Sequence, residues 1–248
     1  MKIAILLETN YTGGGGPYVH SINTCIDLKK YCSKSNNIMV YTQFLGTFRA
    51  LRELKIPVKL FSYSFLDKVL LKISSLKVLR CLTTIINIKT SLEKSLLKNK
   101  NDLIIFPVIS NLIFCLKKIR FISSILDLEH FKHSTFPEID KKEFKNRENI
   151  YFYAVKKSKL IITSCENIKK NIHKHYMVKK EKVFVIPYTP NSFEKKKKPS
   201  IEFINKFKKI KNYFFYPARI FGHKNHIVLL KAVKILNKKK YKSKFSFF

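Results

Sequence analysis

Short hydrophobic runs recur along the chain, separated by stretches whose apolar positions fall three and four residues apart. The runs Ile3–Leu7, Ile38–Thr42, Val58–Tyr63, Leu103–Phe106, Ile122–Leu128, Leu160–Thr163 and Val183–Ile186 read as strands. Several lack in/out alternation, as expected when both faces of a parallel sheet are covered. Between them, Tyr18, Val19, Ile22, Cys25 and Ile26 form one helical face. Val69, Leu70, Ile73, Leu76 and Leu79 form another, and Phe144 to Val155 a third. Ser164, with Glu166 just behind it, is a suitable start for a helix reaching His175. Strands alternating with helices in this way predict a doubly wound α/β sheet.

The pattern breaks at Pro187. Residues 188–200 hold Pro190, Pro199 and the run Lys195–Lys198 without apolar periodicity, and read as a linker. A second cycle then begins: a helix over Ile201–Ile210, a strand over Tyr213–Pro217, a helix over His226–Leu236 and the start of a further strand near Phe248. The expected organisation is a domain over 1–187, a linker over 188–200 and the beginning of a second, similar domain over 201–248. One βα unit cannot bury its own sheet edges, so the second domain is expected to be incomplete, with an uncovered helix face and no turnover by this chain alone.

Composition narrows the function classes. Of 248 residues 46% are hydrophobic, which supports a sizeable core and excludes a disordered chain. Lys and Arg total 50 against 16 acids, a formal charge of +34, yet only six of the 50 are Arg. Base and phosphate readers favour the planar Arg fork, so a Lys excess argues against nucleic-acid recognition. A coding bias towards Lys, Ile, Asn and Phe accounts for the charge as well as an anionic partner does, but either origin draws the protein to anionic lipid. The odd count of five cysteines, without a Cys-x-x-Cys pair, argues for free thiols and against a Cys-type zinc site. The longest apolar stretch, Leu103–Leu116, is broken by Pro107, Ser110 and Asn111, and falls short of the ~20 residues that span a bilayer. The expected location is cytoplasmic, extending to a peripheral place at the inner face of a membrane. Lys195–Lys198 and the amphipathic stretch Lys68–Arg80 are the expected contacts.

Three motifs could carry chemistry. Thr12-Gly13-Gly14-Gly15-Gly16-Pro17 lies between the first strand and the first helix, where backbone can approach a ligand and a helix N-terminus favours an anion. It is not Gly-x-Gly-x-x-Gly, and no acid ends the second strand, so a plain NAD site is not expected. Asp127-Leu-Glu-His130 follows a strand, at the carboxyl edge where open α/β sheets bind ligands. A metal site joining His130 and His133 with His173 and His175 is a weak alternative, as is a general base at Asp127 or Glu129. In Tyr-Pro-Ala-Arg219-Ile-Phe-Gly-His-Lys224-Asn-His226, an Arg and a Lys five apart can bracket a diphosphate.

Taken in order, these segments resemble the retaining glycosyltransferases of the large group 1 family (family 4, GT-B fold). The resemblance also includes Ile161-Ile-Thr-Ser-Cys-Glu166 and Lys182-Val-Phe-Val-Ile-Pro187. It implies two Rossmann-like domains, the first holding the acceptor and the second the nucleotide sugar. It implies that Gly14, Gly15 and Gly16 form a phosphate and acceptor loop, and that His130 contacts the transferred sugar as the catalytic residue. Arg219 and Lys224 would then neutralise the departing diphosphate without a metal or other cofactor. The implied partners are a nucleotide-sugar donor and a glycan or lipid-linked acceptor, in bacterial surface-polysaccharide synthesis. The family's Glu-x7-Glu motif lies beyond this chain; Glu194 and Glu202 have that spacing but precede the second domain's first strand. A non-catalytic remnant, binding nucleotide or membrane, is the alternative.

Overall fold

The computed structural model describes residues 1–10, 15–76, 79–80, 89–132, 139–190, 199–208, 213–218, 220–238 and 246–247. Its larger sheet has seven parallel strands: β1 (Lys2–Leu7), β2 (Asn37–Thr42), β3 (Val58–Leu60), β4 (Leu103–Phe106), β5 (Arg120–Ser124), β6 (Leu160–Thr163) and β7 (Val183–Val185). They lie in the order β3-β2-β1-β4-β5-β6-β7. The helices around them are α1 (Gly16–Cys32), α2 (Leu45–Glu53), α3 (Phe65–Ser75), α4 (Ser91–Lys98), α5 (Lys141–Lys157) and α6 (Glu166–Tyr176).

β1 is an inner strand, flanked by β2 and β4. Ile3 pairs with Ile38 on one side and Leu103 on the other; the strand is paired with β2 along its whole length and with β4 over Ile3–Ile5. Its five residues from Ile3 to Leu7 are all buried. Ile3, Ile5 and Leu7 share one face and pack with Tyr18, Ile22 and Cys25 of α1 and with Leu51 of α2. Ala4 and Leu6 point the other way and are equally buried, which explains the missing alternation in the sequence.

Polar side chains fix the periphery. Ser64 caps α3 by accepting from the Asp67 N–H, and Asp67 returns a bond to the Ser64 N–H. Asp67 also accepts from the backbone N–H and hydroxyl of Ser91, which ties α3 to α4. Burial alone would raise the Asp67 carboxyl, but the bonds from Ser91 and Ser64 outweigh it and hold the carboxyl below the usual range. Glu93, fully buried, accepts from the N–H groups of Lys117 and Lys118 through one oxygen. Arg80 donates to the carbonyls of Ser74 and Ser75 and to Asn149, while its guanidinium lies over the rings of Phe114 and Tyr153 at 4.1 and 4.7 Å.

The chain divides into two units: Met1–Leu128 with Lys145–Glu194, and Glu129–Phe144 with Lys195–Phe248. In the second, α7 (Ile201–Lys208), β8 (Tyr213–Phe214), α8 (His226–Lys238) and β9 (Ser246–Phe247) follow in order, and β8 pairs with β9 in parallel. None of the α8 residues is buried. Of the thiols, Cys25, Cys32, Cys115 and Cys165 are free, and burial pushes Cys115 up to about 12. Among the described residues, no helix is long and apolar enough to cross a membrane, and no three His, Cys, Asp or Glu side chains cluster as metal ligands would.

The Arg80 fork makes directed bonds and stacks on two rings at once, which an ammonium cannot reproduce. Arg80→Lys is therefore expected to cost ~1–3 kcal/mol, read as a lower urea midpoint with unchanged slope.

Candidate functional site

Strands to the left of β1 are added in one direction and strands from β4 onward in the other, so winding reverses between β1 and β4. At such a reversal the loops leaving the two carboxyl ends diverge and open a crevice. Glu8 follows β1 directly, and the segment Pro107–Ser110 follows β4. Glu8 accepts from the Tyr63 hydroxyl at 3.3 Å and the Gln43 amide at 3.4 Å, residues that follow β3 and β2, and is bonded to Ser110 as well. The loops after β1, β2, β3 and β4 thus converge on one carboxylate. Burial raises its pKa, with the Ser110 and Tyr63 bonds opposing.

His20 stands in the first turns of α1 and is bonded to Pro107. Proline has no N–H, so the imidazole must donate to the Pro107 carbonyl. Nε2 is buried without a hydrogen-bond partner among the described residues, which leaves Nδ1–H as the donor and a lone pair on Nε2. Burial lowers the His20 pKa despite the Pro107 bond, favouring this neutral form. Tyr188, after β7, meets the His20 ring edge-on at 5.1 Å. Asn23, one turn further along α1 and buried, donates to the carbonyls of Thr189 and Pro190 and fixes that strap against the helix.

Of the Gly-rich loop, Gly14 lies outside the described residues. Gly15 is the N-cap of α1 at φ 91°, ψ −175°, a conformation open in practice to glycine alone. Gly16 needs no glycine: a Cβ there would meet nothing within 4 Å. The cap makes no side-chain hydrogen bond and the first turn holds no acid. His130 sits in a short turn, Glu129–Lys132, fully buried, with its ring 4.5 Å from Phe131 and 5.6 Å from Phe144. Asp127 is paired with Arg147 at 3.5 Å, and its side chain remains half exposed.

Of the metal alternative's residues, His173 bonds the Val178 carbonyl through Nδ1 at 2.7 Å and closes the turn after α6. His133 lies outside the described residues. In the second unit, Arg219 also lies outside them, while Lys224 is exposed in the turn Gly222–Lys224. Two side chains hold the loop that carries it: the Tyr216 hydroxyl donates to the Lys224 carbonyl at 3.2 Å, and His226 Nε2 bonds the Ala218 carbonyl at 3.1 Å.

Sequence reasoning missed Glu8, His20, Tyr63 and Ser110. The available signal was an acid directly ending the first strand and a histidine one turn into the helix after the glycines.

No family model matches the chain, and no curated protein does. Solved structures do. A glycosyltransferase from Rickettsia africae superposes over 100% of this chain and 67% of its own, at TM-score 0.53 and 12% identity. The S. aureus protein MnaA, solved with UDP, matches over 99% of this chain and 61% of its own, at 0.57 and 15%. The UDP-GlcNAc 2-epimerase of Neisseria meningitidis, bound to UDP-GlcNAc, matches over 100% and 65%, at 0.54 and 16%. The chain therefore spans about two thirds of their length. The fold is the GT-B type, built of Rossmann-like parallel α/β units.

A carboxyl raised by burial stays protonated in the folded protein at pH values where the unfolded chain has already ionised. The stability it supports is complete below 4.5, the ordinary glutamate value, and is lost as pH rises through the folded value. Glu8→Gln is therefore expected to raise the urea midpoint at pH 7, with the gap from wild type closing below pH 4.5. Gly15→Ala is expected to cost ~1–3 kcal/mol, whereas Gly16→Ala is expected to be neutral or stabilising by up to ~1 kcal/mol. Thermal unfolding of the pair checks both signs.

Proposed function

We propose that the chain is the acceptor-binding part, with the donor-side cations, of an enzyme that moves a sugar from a nucleotide sugar to a glycan or lipid-linked acceptor. The convergence of Glu8, His20, Tyr63 and Ser110 at the switch point carries this reading. A carboxyl group and an imidazole, both biased to their neutral forms, suit the recognition and deprotonation of a sugar hydroxyl. UDP-GlcNAc is the first donor to test, since MnaA and the meningococcal epimerase are solved with UDP and UDP-GlcNAc.

On the donor side, Arg219 and Lys224 would face the diphosphate. As the C1–O bond breaks, positive charge grows on the sugar and negative charge on the leaving diphosphate. Fixed cations stabilise that departing charge without a metal. The anchoring of the Lys224 loop by Tyr216 and His226 supports such preorganisation. His130, buried as it is, would reach a sugar only once the Glu129–Lys132 turn opens. With retention, as the group 1 resemblance implies, the acceptor proton passes to the leaving phosphate oxygen on the same face of the sugar. Surface-polysaccharide synthesis is the setting this reading favours.

His20 favours a second course. The acceptor oxygen attacks C1 as Nε2 takes its proton, and the bonding pair leaves with the diphosphate, inverting the anomeric centre. Proton NMR of the product's anomeric signal separates the two.

Calorimetric titration with UDP-GlcNAc is expected to show binding that Lys224→Ala weakens at least ten-fold, and in a protein carrying a complete second domain transfer is expected to fall ~10²–10³-fold. Lys174→Ala, an exposed lysine of the other unit, is expected to change neither. His20→Gln is expected to leave donor binding intact and to remove the acid limb of the transfer–pH profile if the inverting course holds. Equal, small effects at Lys224 and Lys174 would overturn the donor assignment. Donor binding without transfer, even with a complete second domain supplied, would reduce the protein to a nucleotide-binding module.

A further inference from the structure

The amino edge of the large sheet, opposite the switch point, holds a second site. There the last turns of α5, the starts of β6 and β7 and the turn after α6 line a shallow, open cleft of about 690 Å³. Val155 and Leu160 form its apolar floor. Its cations are all lysines: Lys156, Lys159, Lys179 and Lys182, with Glu181 the acid among the lining residues. Lys157, Lys174 and Lys180 lie close by in sequence, all exposed.

Helix ends account for part of this charge. Lys182 donates to the carbonyls of Val155 and Lys156 and so serves the C-terminus of α5. Lys156, Lys159 and Lys179 remain exposed beyond that need. Two large apolar side chains stand among them. Phe152 is 53% exposed and Met177 is 91% exposed, the highest among the described large hydrophobics of the first unit.

Met177 is not a frayed end. Its N–H donates to the His173 carbonyl, and the next residue's carbonyl bonds His173 Nδ1, so one histidine brackets the turn from both sides. Its backbone is left-handed, at φ 50°, where a side chain is disfavoured and glycine is usual. Lys55 and Lys100 take the same left-handed conformation after α2 and α4, so what sets Met177 apart is its apolar side chain, fixed and solvent-facing.

We infer that this cleft docks the protein on an anionic phospholipid bilayer, with Met177 and Phe152 entering the interface and Lys156, Lys159 and Lys179 pairing with headgroup phosphates. The charge is complementary, and a lipid surface accepts both kinds of side chain together. A free phosphate would use the lysines and leave the apolar tips in water. The inference stands independently of the glycosyl-transfer reading, since it uses the opposite edge of the sheet.

The full chain is to be sedimented with phosphatidylcholine vesicles, with and without phosphatidylglycerol. Binding is expected only with the anionic lipid and is expected to fall as salt rises. The triple variant Lys156→Ala, Lys159→Ala, Lys179→Ala is expected to lose about five-fold per lysine, about a hundred-fold in all. An equal charge removed by Lys59→Ala, Lys94→Ala and Lys145→Ala, exposed on β3, α4 and the first turns of α5, is expected to cost far less. Met177→Gly suits the left-handed backbone, so it is expected to raise stability while weakening vesicle binding about ten-fold. Equal losses in both triple variants would mean that the net charge alone binds, and would overturn the inference. So would displacement by inorganic phosphate beyond its ionic strength, or a smaller solution mass for Met177→Gly, which would assign the cleft to a phosphate or to a second copy.

Discussion

The reversal of winding between β1 and β4 is the constraint on which the rest depends. Parallel strands need crossovers, and with right-handed crossovers the direction in which strands are added sets the face that each connecting helix covers. Once β2 and β3 extend one way and β4 to β7 the other, the loops at that boundary part, and nothing in the backbone refills the gap. Side chains must line it. Here they are Glu8 from β1, Ser110 from beyond β4, Tyr63 from beyond β3 and His20 from α1. The apolar ladder below, with Ile3, Ile5 and Leu7 packed on α1, holds those groups in place.

Three acids of the first unit differ in how fully their partners offset burial. Glu93 accepts two short backbone bonds, and Asp67 takes a capping box and Ser91 besides. Both are stitched to nearby chain and contribute to stability. Glu8 instead receives long bonds from Tyr63 and Gln43, and its burial is not offset. A sequence selected for stability alone would place a glutamine there. Retaining the acid follows the general trade between a strained site and a relaxed fold.

Much of the fold was legible in the sequence because buried parallel strands read as continuous apolar runs. Leu103–Phe106 and Leu160–Thr163 match their runs end to end. The β5 run began at Ile122, but the strand opens two residues earlier at exposed Arg120, because pairing with Leu103 and not side-chain polarity sets its start. The β3 run reached Tyr63, yet the strand stops at Leu60, which frees Tyr63 to turn onto Glu8. The nine-residue α2 and eight-residue α4 are amphipathic but too short for the pattern to stand out. The site was less legible for a different reason. Glycine-rich loops and paired cations are local patterns, whereas the meeting of residues 8, 20, 63 and 110 depends on lateral strand order. That order is written in no single segment.

The two edges of a parallel sheet are chemically unlike, and this chain exploits the difference. Strand ends and helix starts meet at the carboxyl edge, where helix N-termini offer N–H groups and acids such as Asp67, Glu93 and Glu166 stand in first turns. Helix C-termini gather at the amino edge, and α1 to α6 each carry a basic residue in the last turn. A strongly basic composition is thereby sorted by the fold: lysines that offset helix dipoles accumulate on the side away from the switch point. Dipole compensation explains the lysines at every helix end but not a solvent-facing methionine held in a left-handed turn between two of them. Where charge has a structural reason and an exposed apolar group has none, the apolar group is the better pointer to function. By that criterion Met177, and not the lysine excess that dominates the sequence, marks the second functional surface of this protein.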